Sequence, residues 1–302
     1  MGEKIQRSLT VAIMSPGAMG HAIGRIVLKR YNSGIRIITN LTGRSSRTRH
    51  LSESAGIIDV GSDTELVQQA DIVLSIVTTW EAISVAKRIS QTEHKNPNLL
   101  FVELNDLAPE TVMSIAALFP TGRFVDGSIL GGPPQDDGYS PSIYLSGEYA
   151  HELSFLKDSC NLDIRIIGTK IGDASGLKMC YAPMFKGFTA MAIDACITAK
   201  ILGLTDVFLD EVKHSLPDMF EKICQWIPGV APRANRWVGE MDEIIKTYDV
   251  AGVSTKMLEG AADTYKLIAE STTVGIDNNT DQTLDDIIQK LVDALKTLKG
   301  SN

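Results

Sequence analysis

The sequence predicts an α/β fold in which a doubly wound, mainly parallel sheet fills the first half and an all-helical domain the second. Three features carry this expectation. Short apolar runs of strand length alternate with helix-length segments as far as Gly168, the pattern of strands joined by crossover helices. The first of these runs ends in a glycine turn that opens directly into a helix-like segment. From Gly172 onward strand signals fade and long runs of helix formers take over. The expected division is residues 1–168 for the sheet domain and 169–302 for the helical domain, which begins with a long helix joining the two.

Residues 9–14, LTVAIM, form the kind of apolar run that a strand buried on both faces shows. The chain then turns at Ser15-Pro16-Gly17-Ala18-Met19-Gly20 and becomes helix-like through HAIGRIVLKRY. Strand, turn and helix are the setting of a G-x-G-x-x-G dinucleotide fingerprint, here with Ser15 at the first glycine. Gly17 would let backbone approach a pyrophosphate, and Gly20 would let the helix pack closely on the strand. The free N–H groups and positive dipole end of that helix suit an anion. A tight structural turn is the competing reading.

Residues 35–41, IRIITNL, form the second strand, after which an acidic residue would bind a ribose 2′-hydroxyl. The sequence instead gives Thr42-Gly43-Arg44-Ser45-Ser46-Arg47-Thr48, a loop whose arginines Arg44 and Arg47 and hydroxyl of Ser45 suit a 2′-phosphate. NADP(H) is therefore expected over NAD(H). Further strands are expected over 71–77, 99–104, 123–130, 142–147 and 163–168, with helices over 80–90 and from Pro109.

In such sheets ligands sit at the carboxyl ends of the strands. Those ends carry Thr78-Thr79, Asn105-Asp106 and Leu130-Gly131-Gly132. Thr78, Thr79 and Asn105 are expected beside the cofactor, although Asn105 and Asp106 also suit a turn before Pro109. Gly131 and Gly132 expose backbone N–H groups to a substrate oxygen. Helices are expected over 174–203, 205–214, 217–226, 231–250, 254–271 and 281–298, the first of them kinked or opened at Pro183.

The 302 residues leave room for two domains, and 44% hydrophobic with 22% charged residues is a globular composition. A formal net charge of -8 without a dense Lys/Arg run argues against nucleic-acid binding. The N-terminal apolar run is too short for a signal sequence or a membrane span, and Gln6 breaks a myristoylation motif at Met1-Gly2, so a cytoplasmic location is expected. Cys160, Cys180, Cys196 and Cys224 form no C-x-x-C pair and read as buried thiols. The histidines lack metal-site spacing, and Asn278-Asn279-Thr280 is a sequon only in a secreted protein.

Three ordered motifs resemble the β-hydroxyacid dehydrogenase superfamily, which includes 3-hydroxyisobutyrate and 6-phosphogluconate dehydrogenases. Its G-x-G-x-M-G fingerprint corresponds to Ser15 through Gly20, with Met19 in place. Its D-x-x-x-S-G-G substrate loop corresponds to Asp126-Gly127-Ser128-Ile129-Leu130-Gly131-Gly132. Its G-x-G-x-x-x-K catalytic segment corresponds to Gly172-Asp173-Ala174-Ser175-Gly176-Leu177-Lys178. Further phrases, Lys178-Met179-x-Tyr181-Ala182, Lys186-Gly187 and Arg236-Trp237-Val238-Gly239-Glu240-Met241, resemble a 6-phosphogluconate-dehydrogenase-like branch with a C-terminal domain of unknown function.

The resemblance implies a Rossmann domain followed by a 6-phosphogluconate-dehydrogenase-like helical domain, with a homodimer formed through the latter. It also implies a substrate site between the domains, built from Ser128, Leu130, Gly131, Gly132, Tyr181, Lys186 and Trp237. Leu130 stands where the family has a serine, and Tyr181 and Ala182 where it has asparagines.

Lys178 is the expected general acid/base, since an apolar wall and a cationic nicotinamide favour its neutral form and so bring its proton into play near working pH. The expected activity is NADP(H)-dependent hydride transfer to or from a small hydroxy or carbonyl compound. Imine reduction or reductive amination is an alternative, and a nonenzymatic NADP(H)-binding sensor is another.

Overall fold

The computed structural model describes residues 9–31, 34–93, 95–120, 122–271 and 283–300. The Met1-Gly2 and Gln6 positions and the Asn278 sequon lie outside them. Two compact units meet between Lys178 and Met179.

The first unit alternates strands and helices in chain order: β1 (Thr10–Met14), α1 (Ala18–Arg30), β2 (Arg36–Thr39), α2 (Ser46–Ser54), β3 (Ile58–Asp59), α3 (Asp63–Gln69), β4 (Ile72–Ser75), α4 (Thr79–Gln91), β5 (Leu100–Glu103), α5 (Pro109–Ala116), β6 (Phe124–Leu130), β7 (Ser142–Ser146), α6 (Phe155–Asp158) and β8 (Asp163–Gly168). The eight strands form one sheet in the order β3-β2-β1-β4-β5-β6-β7-β8. All neighbours pair parallel except β6 and β7, which run antiparallel. The connection reverses direction between β1 and β4, which makes their carboxyl ends the switch point of the sheet.

β1, β4 and β5 are buried at every position, as strands covered on both faces must be. Period-two alternation divides β1 between two cores. Val11 and Ile13 pack with Ile23, Ile26 and Val27 of α1, whereas Ala12 and Met14 pack with Ala82, Val85 and Ile89 of α4. Glycine sets the distance of α1 from the sheet. A Cβ on Gly20 would lie 2.9 Å from Ile13 Cγ2, and one on Gly24 would lie 2.9 Å from Ile57 Cδ1.

The helix that leaves this sheet, α7 (Asp173–Ile201), runs without interruption through Pro183 and carries the boundary between the units. It is followed by α8 (Thr205–Ser215), α9 (Pro217–Trp226), α10 (Ala234–Val250), α11 (Lys256–Glu270) and α12 (Leu284–Gly300). The core of this second unit includes Met179, Ile193, Ile227, Trp237, Met241, Tyr265 and Leu291. Edge-on aromatic contacts join Phe185 to Trp226 at 4.6 Å, Phe185 to Trp237 at 5.5 Å and Trp237 to Tyr265 at 5.1 Å.

The structure corrects several expectations. Arg47 and Thr48 lie in the first turn of α2, not in a loop, because the Ser45 hydroxyl accepts from Thr48 N and caps that helix. The segment from residue 231 opens with a 3₁₀ turn, and α-helix begins at Ala234. Cys160 and Cys196 are buried, but Cys180 and Cys224 are exposed because their helices turn those positions outward. β3 and α3 were not expected. Among the described residues no helix is long and apolar enough to cross a membrane.

Candidate functional site

Parallel pairing brings the carboxyl ends of β1, β2, β4, β5 and β6 to one edge of the sheet, and the candidate residues of the first unit stand along that edge. The turn after β1 reproduces what the fingerprint requires. Ser15 takes φ +53°, the left-handed conformation that glycine adopts without strain, and Gly17 N donates to Ser15 O at 2.6 Å. A Cβ on Gly17 would meet nothing closer than Ser15 O at 3.9 Å, so its outer face is open. Gly17 caps α1 without a side-chain acceptor, and the first turn, with Ala18 and Met19, holds no acidic residue. Pro16 is buried beneath the turn. An anion meets unpaired helix N–H groups here and no negative charge from that turn, so these residues fit a dinucleotide pyrophosphate.

The loop after β2 is electropositive at its tip. Arg44 Nη1 lies 3.5 Å from Glu81 Oε1 of α4, while Arg47 is exposed on α2. The nearby acid Asp59 is already engaged, its Oδ1 accepting from Leu41 N and Gly61 N at 3.0 Å. Thr78 Oγ1 donates to Glu81 Oε2 at 3.3 Å, and Thr79 Oγ1 to the Asp106 carbonyl at 3.4 Å. Asn105 is occupied structurally: its Oδ1 accepts from Val77 N at 2.7 Å, and its Nδ2 donates to Ser75 Oγ at 3.1 Å and to Glu103 Oε1. It ties the ends of β4 and β5 together with both amide hydrogens.

The sequence signal D-x-x-x-x-G-G has a structural meaning that its spacing does not reveal. Asp126, buried in β6, accepts at Oδ2 from Gly172 N at 2.9 Å, Ser175 N at 3.1 Å and Ser146 Oγ at 3.0 Å, and at Oδ1 from Ser175 Oγ at 2.5 Å. Its carboxylate thereby serves the unpaired N–H groups at the start of α7, where negative charge also opposes the helix dipole. Ser128, also buried, donates to Ala174 O at 2.9 Å, so it supports the helix from the sheet side. Gly172, at φ +102°, and Gly176 leave room for Pro109: a Cβ on either would lie 3.3 or 3.6 Å from that ring.

This docking places Lys178. Its Nζ donates to Ile129 O at 2.7 Å and lies 3.2 Å from Asp106 Oδ1, with the lysine side chain 12% exposed. An ammonium has three hydrogens, and these two contacts leave a third for a ligand. Asp106 is the partner that sequence reasoning left as a turn residue; its place just beyond β5, one strand from Ile129, is what makes the pair. Leu130 is half-buried, and Gly131 and Gly132 are exposed at the end of β6.

The remaining candidates lie in the second unit and serve different ends. Tyr181 is exposed at 53%. Lys186 is buried, its Nζ 2.5 Å from Glu240 Oε2, while Arg236 Nε pairs with Glu240 Oε1 at 2.9 Å and Tyr265 donates its hydroxyl to Lys186 O at 2.5 Å. A buried ammonium persists only with such a partner. Trp237 is a core residue, 3% exposed within the aromatic cluster. Lys186 and Trp237, both expected at a substrate site, are buried in the helical core.

A second buried acid lies beside Asp126. Glu103 is its register partner on β5, accepts from Asn105 N at 2.9 Å, and has no hydrogen-bond partner at Oε2 among the described residues. Burial pushes the Glu103 carboxyl up to about 8, against the lowering effect of the bonds from Asn105 and Ser75, and the neighbouring Asp126 adds to the rise. Burial raises Asp126 as well, but its four donors stabilise the anion. Burial therefore favours the neutral form of Glu103, while the donors around Asp126 favour its anion.

Comparison with known proteins agrees with the fold. Residues 199–268 match a domain of unknown function, DUF1932. An uncharacterized 28.5 kDa protein from the 7S RNA 5′ region of Methanothermus fervidus is 27% identical over 241 residues, 80% of this chain and 92% of that one. Among solved structures, MTH1747, a conserved protein of unknown function described as similar to 3-hydroxyacid dehydrogenases, gives a TM-score of 0.63 at 25% identity over 86% of this chain and 96% of its own. Mycobacterium tuberculosis 3-hydroxyisobutyrate dehydrogenase with L-serine gives 0.66 at 15% identity over 94% and 99%. A reductive aminase from Aspergillus terreus in complex with NADPH and ethyl levulinate gives 0.55 at 15% identity over 95% and 99%. The resemblance first carried by three motifs thus extends to the whole architecture of a 3-hydroxyisobutyrate-dehydrogenase-like fold.

The Glu103 carboxyl predicts a pH-dependent stability. Its folded value lies above its ordinary one, so the native state holds the proton more tightly than the unfolded chain. The associated stability is complete below about pH 4.5 and is lost as pH rises through about 8, at up to ~1.4 kcal/mol per pH unit. Glu103→Gln keeps a neutral acceptor for Asn105 and should flatten that decline, as read from denaturant unfolding at a series of pH values.

Proposed function

We propose that this chain is an NADP(H)-dependent oxidoreductase that acts on a small hydroxy or carbonyl compound, with Lys178 as general acid and base. The observation that carries this reading is the charge-paired Lys178 on the sheet edge that also carries the open Ser15-Pro16-Gly17 turn. When bound, nicotinamide supplies or accepts the hydride. The turn at Ser15–Gly20 and the first turn of α1 would hold the pyrophosphate, and Arg44, Ser45 and Arg47 the 2′-phosphate.

In the reductive direction the Lys178 ammonium gives a proton to the oxygen of the substrate as that oxygen gains charge; in the oxidative direction the amine takes it back. Asp106 orients the ammonium and offsets its charge, while Ile129 O fixes a second hydrogen, so the remaining one has a defined direction. That the relatives in fold include a hydroxyisobutyrate dehydrogenase and a reductive aminase supports nicotinamide chemistry and leaves carbonyl and imine substrates to be separated by assay.

The helical unit exposes an apolar surface along α7 and α8. Met184 is 74% exposed, Met191 57%, Leu204 51% and Val207 70%, and α8 has no buried residue. We read these side chains as the contact with a second copy of the chain, since exposed large apolar residues on successive helices suit an interface. Light scattering at micromolar concentration should give twice the mass of 32.8 kDa, and Val207→Glu should return it to that of one chain.

Two substitutions test the catalytic and cofactor assignments. Lys178→Met should lower turnover of a carbonyl and imine panel by about 10²- to 10⁴-fold with NADPH affinity retained; near wild-type turnover in a folded, cofactor-binding variant would refute the acid/base role. Arg44→Ala should weaken NADPH about ten- to a hundredfold and leave NADH nearly unchanged, measured by fluorescence titration. Equal loss for both cofactors would remove the 2′-phosphate assignment.

A further inference from the structure

The turn that follows β6 presents a hydroxyl group from outside the motif. Gly132 N donates to the Tyr139 hydroxyl at 3.1 Å, and a Cβ on Gly131 would lie 2.5 Å from the same oxygen. Gly131 also takes φ +127°, so both its conformation and its neighbour require glycine. The backbone donor that sequence reasoning assigned to a substrate is therefore covered by a phenol.

The loop that carries the phenol is held from several directions. Tyr139 N donates to Asp137 Oδ1 at 2.9 Å, and Gln135 N donates to Tyr139 O at 2.9 Å. Upstream, Asp136 pairs with Arg25 and Lys29 of α1, which ties the loop to the fingerprint helix. Beyond the tyrosine, Ser140 Oγ accepts from Asp163 N at 3.0 Å, which ties it to β8. Yet Tyr139 is 45% exposed, and its own hydroxyl hydrogen meets no acceptor among the described residues. A tyrosine anchored this firmly and left with an outward donor differs from one buried for packing.

Position adds to this. Ile129, whose carbonyl accepts from Lys178, stands near the end of β6, and Gly131, against which the phenol rests, opens the turn that follows that strand. Donation from Gly132 N to the phenol oxygen polarises the O–H and strengthens it as a donor, an effect largest toward a charged acceptor.

We propose that Tyr139 is a substrate-contacting residue whose hydroxyl, relayed from Gly132 N–H, donates to the carboxylate of a small acid while Lys178 addresses the reacting oxygen. The assignment rests on the oxidoreductase reading for the second half of that statement only. The side chain sets specificity for a charged group and takes no part in proton transfer.

Ligand-observed NMR titration of the NADPH-loaded protein with 3-hydroxypropionate and with its neutral amide tests it. The wild type should bind the carboxylate more tightly than the amide. Tyr139→Phe, checked for an unchanged unfolding temperature, should lose about ten- to a hundredfold in carboxylate affinity and little for the amide, so that the preference disappears. A merely structural tyrosine would shift both ligands together. Equal carboxylate affinity in wild type and variant, a wild type without preference, or a wild type that binds neither probe would overturn the proposal. The Lys178→Met variant separates the two readings: full turnover there removes the acid/base assignment, while the carboxylate preference still decides Tyr139.

Discussion

A carboxylate inside a sheet endures only where donors surround it, and Asp126 imposes that condition on the elements around it. Four hydrogen bonds reach it, from β7 and from the first turn of α7 and the residue before it. Three of them are available only if α7 begins at the flank of β6 with its N–H groups turned inward. Once that start is fixed, geometry does the rest: Ser128 meets Ala174 O, and a turn further on Lys178 meets Ile129 O. The lysine is thus placed by an acid that never touches it. Removing that acid would leave unpaired N–H and hydroxyl groups in a dry environment, which is costly.

The edge of the sheet is also connected laterally. Arg44 reaches Glu81, Glu81 accepts from Thr78, Thr79 donates to the Asp106 backbone, and the Asp106 carboxylate faces Lys178. These contacts run across the ends of β2, β4, β5 and β6 and alternate in charge, so each cation is steadied by an acid and retains donors toward the open side. The same logic governs the helical unit with a different outcome. There Lys186, Glu240 and Arg236 satisfy one another inside the unit, and the arrangement stabilises a core.

Most of the fold was legible because burial leaves a linear trace. Strands covered on both faces read as apolar runs, and β1, expected over 9–14, lies at Thr10–Met14 with every position buried. β3 escaped because its two residues are both exposed and carry no such run. Among site residues, Ser15, Gly17 and Gly20 were legible since backbone geometry ties them to residues two or three positions away. The roles of Asp126, Asp106 and Tyr139 were not, because their partners come from other strands, a distant helix or the far side of a turn. The pairing of Lys186 was hidden for the same reason: its partner Glu240 is brought to it from α10, and an isolated lysine near a glycine gives no hint of that. Exposure of Cys180 and Cys224 likewise depends on which helix face is left uncovered.

The donors to Asp126 also constrain the order in which the chain assembles. Ser146 is 20 residues away, Gly172 is 46 and Ser175 is 49. Until all three arrive, the centre of β6 holds a charge that must remain in water, and closing loops of that length is slow relative to local helix formation. β6, β7 and the start of α7 have to be in place together before Asp126 can leave water with its bonds made, so the setting of Lys178 forms only with that group and is lost with it.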